Sequence, residues 1–256
     1  MADFRGDIYD ASGRLQVSTN MLGMVCRRTG TGATITRQGG NTSPSSLLVD
    51  VSGCSYPVVA IKIDNYVAAL AGKSGNSTTN HWICSAPVGT GFTYYIFDWT
   101  TSLPNSGGME RRFDANGRCT FNSDYFPMFT TRMFGGVGQT MATNGRVFAT
   151  AQGTMAGHSR RGEALCYQSG GPQLDPDGGG LQNCRDIRYR NDGKLYGGGV
   201  RPGDGTVGMY QVSWDDVQVS AGNYTNYSQN DVRGWECPGT VMAVDVTNIP
   251  VGATFF

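Results

Sequence analysis

The sequence predicts an all-β protein built of antiparallel β-sandwich-type modules with tight hairpins and little helix. Three observations carry this. The ionic residues are lopsided, with 17 Arg against 3 Lys and 17 Asp against 3 Glu (Glu110, Glu163 and Glu236). Lys and Glu are the ordinary fillers of exposed helix faces, so few long helices are expected. Glycine supplies 38 of the 256 residues, about twice its usual share of about 7 %; each costs a helix interior about 1 kcal/mol but enters turns freely. Turn signals recur about every 8–12 residues, the spacing of a sandwich or barrel rather than of alternating helix and strand.

Taken in chain order, β-branched and aromatic runs bounded by turn residues read as strands. They are DIYD (7–10), RLQVST (14–19), ATITRQ (33–38), SLLVDVS (46–52), YPVVAIKI (56–63) and TYYIFDW (93–99), then GRVFATAQ (145–152), DIRYR (186–190), VGMYQVSW (207–214), VQVSA (217–221) and VMAVDVT (241–247). The Gly-, Pro-, Asn- and Ser-rich stretches at 39–46, 72–80, 102–108, 169–180 and 201–206 read as loops. NYVAALAG (65–72) fits either a short helix or a buried strand.

One phrase occurs twice: YDASGRLQV at 9–17 and FDANGRCTF at 113–121. Ser12-Gly13 and Asn116-Gly117 supply the pair that a tight hairpin turn requires, because both central positions need positive φ. Arg14 and Arg118 then open the return strand. Weaker relatives are TNGRVF (143–148) and YRNDGKLY (189–196). The same offset of 104 pairs Val17 with Phe121, Ser18 with Asn122, Thr19 with Ser123 and Met24 with Met128. An internal duplication would place one module at 1–104 and a second, longer one at 105–256, opening with the copied hairpin. The alternative is a recurring hairpin within one continuous sandwich.

Formal net charge is zero, so no field draws nucleic acid or an anionic membrane, and no apolar run suits a membrane span or an export signal. Synthesis and folding in a cytoplasm are therefore expected. The seven cysteines lie at least 18 residues apart, which excludes CxxC and zinc-knuckle spacings and favours buried free thiols. His81 and His158 form no metal-binding pair and are expected on the surface or in loops. GKS (72–74) lacks the upstream Gly of a phosphate loop, and no nucleophile elbow is present. Asp175 and Asp177 lack the rest of a calcium loop. Asp215 and Asp216 are neighbours on a strand and would face opposite ways. The expectation is a chain with no catalytic residues, metal or cofactor. Tyr224, Tyr227 and Trp235, set among Asn, Ser, Thr and Gln at 221–235, are the candidate contacts. Such a loop can stack on sugar rings, meet a protein partner, or simply seal the sandwich edge.

Laid out this way, GDIYDASGRLQVSTNMLGMV (6–25) and RRFDANGRCTFNSDYFPMF (111–129) resemble the strand–turn–strand opening of tail tip, baseplate and tail-fibre proteins of tailed bacteriophages. Residues 56–102, with YYIFD ahead of the second copy, resemble the segment that links such openings. What the resemblance implies is a structural virion component, assembled in the cytoplasm of an infected bacterium and docked on other tail proteins. It also implies homo-oligomers, trimeric or higher, and contact with a host surface glycan or protein receptor. It supplies no catalytic residues. The competing expectations are a tail-associated glycan-degrading enzyme, which needs paired carboxylates in one groove, and a carbohydrate-binding module outside any virus.

Overall fold

The computed structural model describes residues 7–9, 15–18, 23–36, 44–73, 77–84, 86–99, 108–113, 116–152, 157–167, 182–227, 233–237 and 239–255. Of these, 7–9, 15–18, 157–167, 182–193, 212–227 and 233–237, with 44, 72–73, 82, 84 and 121, are described by backbone alone. The strands are β1 (Asp7–Tyr9), β2 (Leu15–Ser18), β3 (Met24–Ala33), β4 (Pro44–Asp50), β5 (Val58–Lys62), β6 (Val67–Lys73), β7 (Thr78–Cys84), β8 (Gly91–Trp99) and β9 (Arg111–Phe113). There follow β10 (Cys119–Asn122), β11 (Thr130–Phe134), β12 (Thr140–Ala142), β13 (Phe148–Ala151), β14 (Gly157–Tyr167), β15 (Gln182–Arg201), β16 (Thr206–Tyr227), β17 (Arg233–Cys237) and β18 (Val241–Asp245). The protein is all-β, with antiparallel sheets.

Two sheets form the layers. One has six strands in the order β11-β18-β13-β5-β8-β3; the other has eight, running β12-β16-β15-β6-β7-β4 with β14 on β15 and β17 on β14. Period-two alternation sends one set of side chains between the layers. Val59, Ile61 and Ile96 of the first sheet meet Leu47, Val49, Ala68 and Ile83 of the second. Phe134, Phe148, Val241 and Ala243 meet Val200, Val207 and Met209. Each large apolar side chain so buried contributes about 1.5–3 kcal/mol. The opposite face of the six-stranded sheet is buried too, through Cys26, Ala60, Tyr95, Phe97, Ala149, Ala151 and Val244. The first cluster draws only on residues before 104 and the second only on residues after it, while the third draws on both.

The six-stranded sheet curls until its edges meet. Residues 126–128 lie along β3: Cys26 N–H donates to Phe126 O (2.7 Å) and Met128 N–H to Met24 O (2.8 Å). The next residue already belongs to the other edge, where Asp245 N–H donates to Phe129 O (3.0 Å) and Thr130 pairs with Val244. Farther along β3, Thr29 N–H donates to Ala253 O and Phe255 N–H to Arg27 O, both at 2.8 Å. The edge of β3 is thus covered from 24 to 29, as an edge must be to avoid foreign pairing.

Gly197–Gly199 let β15 approach β6 and β13. A Cβ on Gly197 would sit 2.4 Å from the Ala68 carbonyl oxygen, and one on Gly198 2.2 Å from the Thr150 Cβ. Gln152 ties the layers together at the same place. Its Oε1 accepts from Leu70 N–H (2.8 Å) and its Nε2 donates to Tyr196 O (2.6 Å). Leu70 lies where the β6–β7 register slips, so Gln152 satisfies an amide at an irregular point in the ladder.

Several sequence expectations change. NYVAALAG contributes a strand, β6, and Pro44 begins β4 inside the stretch read as loop. Of ATITRQ, Ala33 ends β3 and Ile35 makes an isolated bridge to Ser46. YRNDGKLY is not a turn: Gly193 sits mid-strand opposite Trp214. In TNGRVF, by contrast, Asn144 and Gly145 both take positive φ, 50° and 78°, the geometry a tight turn needs.

Candidate functional site

The twin phrase folds into two small sheets standing apart from the layers, β1–β2 and β9–β10. Their registers are superimposable at an offset of 104. Asp7↔Ser18, Ile8↔Val17 and Tyr9↔Leu15 recur as Arg111↔Asn122, Arg112↔Phe121 and Phe113↔Cys119. Each skips the residue before its last pair, Gln16 in one and Thr120 in the other, which is a bulge at the same place. Ser12 and Gly13 lie outside the described residues. Gly117 takes φ of 75°, but Asn116, Gly117 and Arg118 are all outside strand. The second connection is therefore longer than two residues, and the return strand opens at Cys119 rather than Arg118.

Short polar groups bind the second hairpin. The Ser123 hydroxyl accepts from Met109 and Glu110 N–H (2.9 and 3.2 Å), and Asp124 accepts from Gly108 N–H (2.6 Å). Arg112 pairs with Glu110 at 2.7 Å. Cys119, 1 % exposed, packs with Val25 of β3 and with Tyr125, so the hairpin docks on the start of β3.

The aromatic candidates are not in a loop. Tyr224 and Tyr227 are strand residues of β16, opposite Cys184 and Gln182, and Trp235 is in β17 opposite Ser159. Ser159 in turn faces Gly193, which faces Trp214. Trp235 thus falls in the row of Trp214, ten residues along β16 from Tyr224, and the register does not pair them.

The strands bearing these residues form a four-stranded wall, β17-β14-β15-β16. Val200, Gly198 and Tyr196 share the face of β15 that meets the second core cluster. At the same alternate positions the strand continues as Lys194, Asp192, Arg190, Arg188 and Asp186. Asp215, Asp192, Arg160 and Gly234 share one row, and Ser213, Lys194, His158 and Glu236 the next row on that face. Asp215 and Asp216 occupy consecutive rungs and so opposite faces. The rows of the wall mix acidic and basic residues, with Asp192 opposite Asp215 and Arg190 and Arg188 in succession at alternate positions of β15. Sequence reading missed it because it scored β15 as short fragments.

His81 corrects a second expectation. It is not at the surface but 4 % exposed on β7, opposite Leu47 and Leu70. Its Nδ1 has no partner, and burial lowers its pKa to about 4. His158 lies on β14. Asp175 and Asp177 lie outside the described residues, and Gly72 and Lys73 of GKS end β6. Burial pushes the Cys26 thiol up to about 12 and also raises that of Cys54; Cys26 and Cys54 are free. Raised thiols are poor nucleophiles.

A polar corner that no motif announced pins the loop after β4. Asp98, 2 % exposed on β8, accepts from Tyr56 N–H (2.7 Å), Ser55 N–H (3.0 Å) and Arg27 (3.5 Å). Arg28 donates to the Asp50 carbonyl oxygen. Hydrogen bonds from the Ser52 N–H and hydroxyl hold the Asp50 carboxyl below its usual range. Among the described residues no group of three or more His, Cys, Asp or Glu is placed to hold a metal ion, and no helix is long and apolar enough to cross a membrane. No known family, curated protein or solved structure matches the chain.

Proposed function

We propose that this chain is a structural, non-catalytic component of a bacteriophage tail, docking on other tail proteins and presenting its four-stranded wall toward a partner or the host surface. The observation that carries the reading is the paired hairpin. The phrase that resembles the opening of tail proteins folds twice, with one register and one bulge, as a small ribbon outside the layers. A ribbon of this kind adds a defined edge to a surface, which suits a connector between proteins. The residues it repeats are turn formers and packing residues, and such a repeat serves architecture. The test is composition of purified virions by mass spectrometry, together with particles made without the chain. The chain is expected in the particle, and its loss should give defective tails or failed adsorption. Particles lacking it that keep normal tails and adsorb normally would overturn the proposal. Release of reducing sugar ends from host envelope by the purified chain would favour a glycan-degrading enzyme instead.

A further inference from the structure

The chain holds two Asn-Gly steps, Asn116-Gly117 and Asn144-Gly145, each followed by Arg. All four residues are exposed, and a Cβ on either glycine would meet nothing within 4 Å. An asparagine before glycine brings an electrophile and a nucleophile together. With no side chain on the following residue, the glycine amide nitrogen can reach the asparagine Cγ. The two steps thus start from equal chemistry, and the fold treats them differently.

Asn144-Gly145 occupies the centre of a closed turn. Its φ values are 50° and 78°, and Arg146 N–H donates to Thr143 O at 3.0 Å. The turn is also held from outside. Thr143 N–H donates to Gly205 O (2.7 Å), Val147 N–H to Thr247 Oγ1 (3.0 Å), and Arg146 pairs with Asp245 (2.9 Å). Closing a five-membered ring between Asn144 Cγ and Gly145 N swings the backbone out of the turn, so bonds of this set must open first. Asn116-Gly117 is placed differently. The last rung of β9–β10 is Phe113↔Cys119, so Asn116 stands at the middle of a five-residue connection rather than in a two-residue turn.

We propose that Asn116 is a modification site: it deamidates spontaneously to aspartate and isoaspartate, while the closed turn protects Asn144. Gly117 N gives up its proton to solvent base and bonds to Asn116 Cγ. The Cγ–Nδ2 bond breaks, and the nitrogen leaves as ammonia with that proton. Water then adds to either carbonyl carbon of the succinimide and breaks its bond to the ring nitrogen, which takes a proton back. Opening at Cγ gives aspartate; opening at the main-chain carbonyl gives isoaspartate, whose backbone runs through the β-carbon. Water is consumed, ammonia is released and nothing is oxidised. Either product places a carboxylate two residues before Arg118. The isoaspartyl form also lengthens the connection ahead of Cys119, the residue that packs the hairpin on Val25. The proposal needs no tail role, so it and the particle experiments fail independently.

The experiment is mass spectrometry of tryptic peptides from the full chain after incubation in mildly alkaline buffer, folded or in guanidinium chloride, with a zero-time sample subtracted. Trypsin releases the two sites as residues 113–118 and 133–146. In the folded chain, 113–118 should gain the mass of deamidation and split into aspartyl and isoaspartyl forms. Its rate should exceed that of 133–146 about tenfold or more, the factor that opening two hydrogen bonds imposes. In denaturant the two rates should converge, because the turn is gone. An unmodified 113–118, an equal or faster change at 133–146, or a difference that persists in denaturant would each overturn the proposal.

Discussion

His81 makes the stability of the fold depend on pH in a calculable way. Its ring lies among Leu47, Leu70 and Ile83 on the interior side of β7, with Nδ1 unpartnered. Burial therefore disfavours the imidazolium, and the folded pKa falls from 6.5 to about 4. With the folded value below the unfolded one, the unfolded chain takes up the proton first. Stability is unaffected above pH 6.5 and declines as pH drops toward 4. At about 1.4 kcal/mol per unit, the loss across that window is roughly 3 kcal/mol, a large part of the 5–15 kcal/mol typical of a domain. The carboxyls of Asp50 and Asp245, lowered from 3.8, lose their contribution only below that value and stay outside the window. The assay is urea unfolding at pH 7.0 and pH 4.5 for the natural chain and for His81→Leu. The variant should be at least as stable at neutral pH, having lost a buried unpaired nitrogen, and its stability should fall less on acidification. Equal losses in the two proteins would refute the reasoning.

Three further outcomes follow from the packing. Gln152→Ala leaves the half-buried Leu70 amide and Tyr196 carbonyl without partners and should cost about 1–3 kcal/mol in denaturant unfolding; Gln152→Glu, which sets a carboxylate oxygen against the Tyr196 carbonyl, should cost at least as much at neutral pH. Gly197→Ala drives a methyl into backbone at Ala68 and should lower the yield of folded protein or cost about 1–3 kcal/mol, whereas Gly117→Ala meets open space and should cost about 1 kcal/mol from its positive φ alone. In thiol titration with an aromatic disulfide, Cys26 and Cys119 should react only on unfolding, while half-buried Cys54 reacts in the native state.

The parts of the fold legible in sequence were those where burial imposes alternation. β5, β8, β13 and β18 keep apolar residues on faces that are actually covered, and their runs stand out. β3 was missed because MVCRRTGTGA mixes Arg, Thr and Gly; it is held as much by neighbours on its edge, 126–128 and 253–255, as by its own side chains. β7 was missed because His81 and the Thr and Asn residues around it read as loop. β15 was broken at NDG, a turn signal that its 22-residue partner strand overrides, and β16 was broken at Asp215-Asp216. The candidate site divides the same way. The duplicated hairpin is visible because it is local, while the four-stranded wall depends on which strands lie side by side.

The clasp on β3 bears on how the molecule is made. Thr29 is held by Ala253, 224 residues later in the chain. A ribosome releases β3 long before either segment that shields it exists, so for most of synthesis that strand presents bare amides and carbonyls. Pairings so distant in sequence form late and slowly, and nascent chains in this state are prone to join one another. Yield should therefore be set during translation, with slower synthesis or chaperone capture helping more than any change to the finished core.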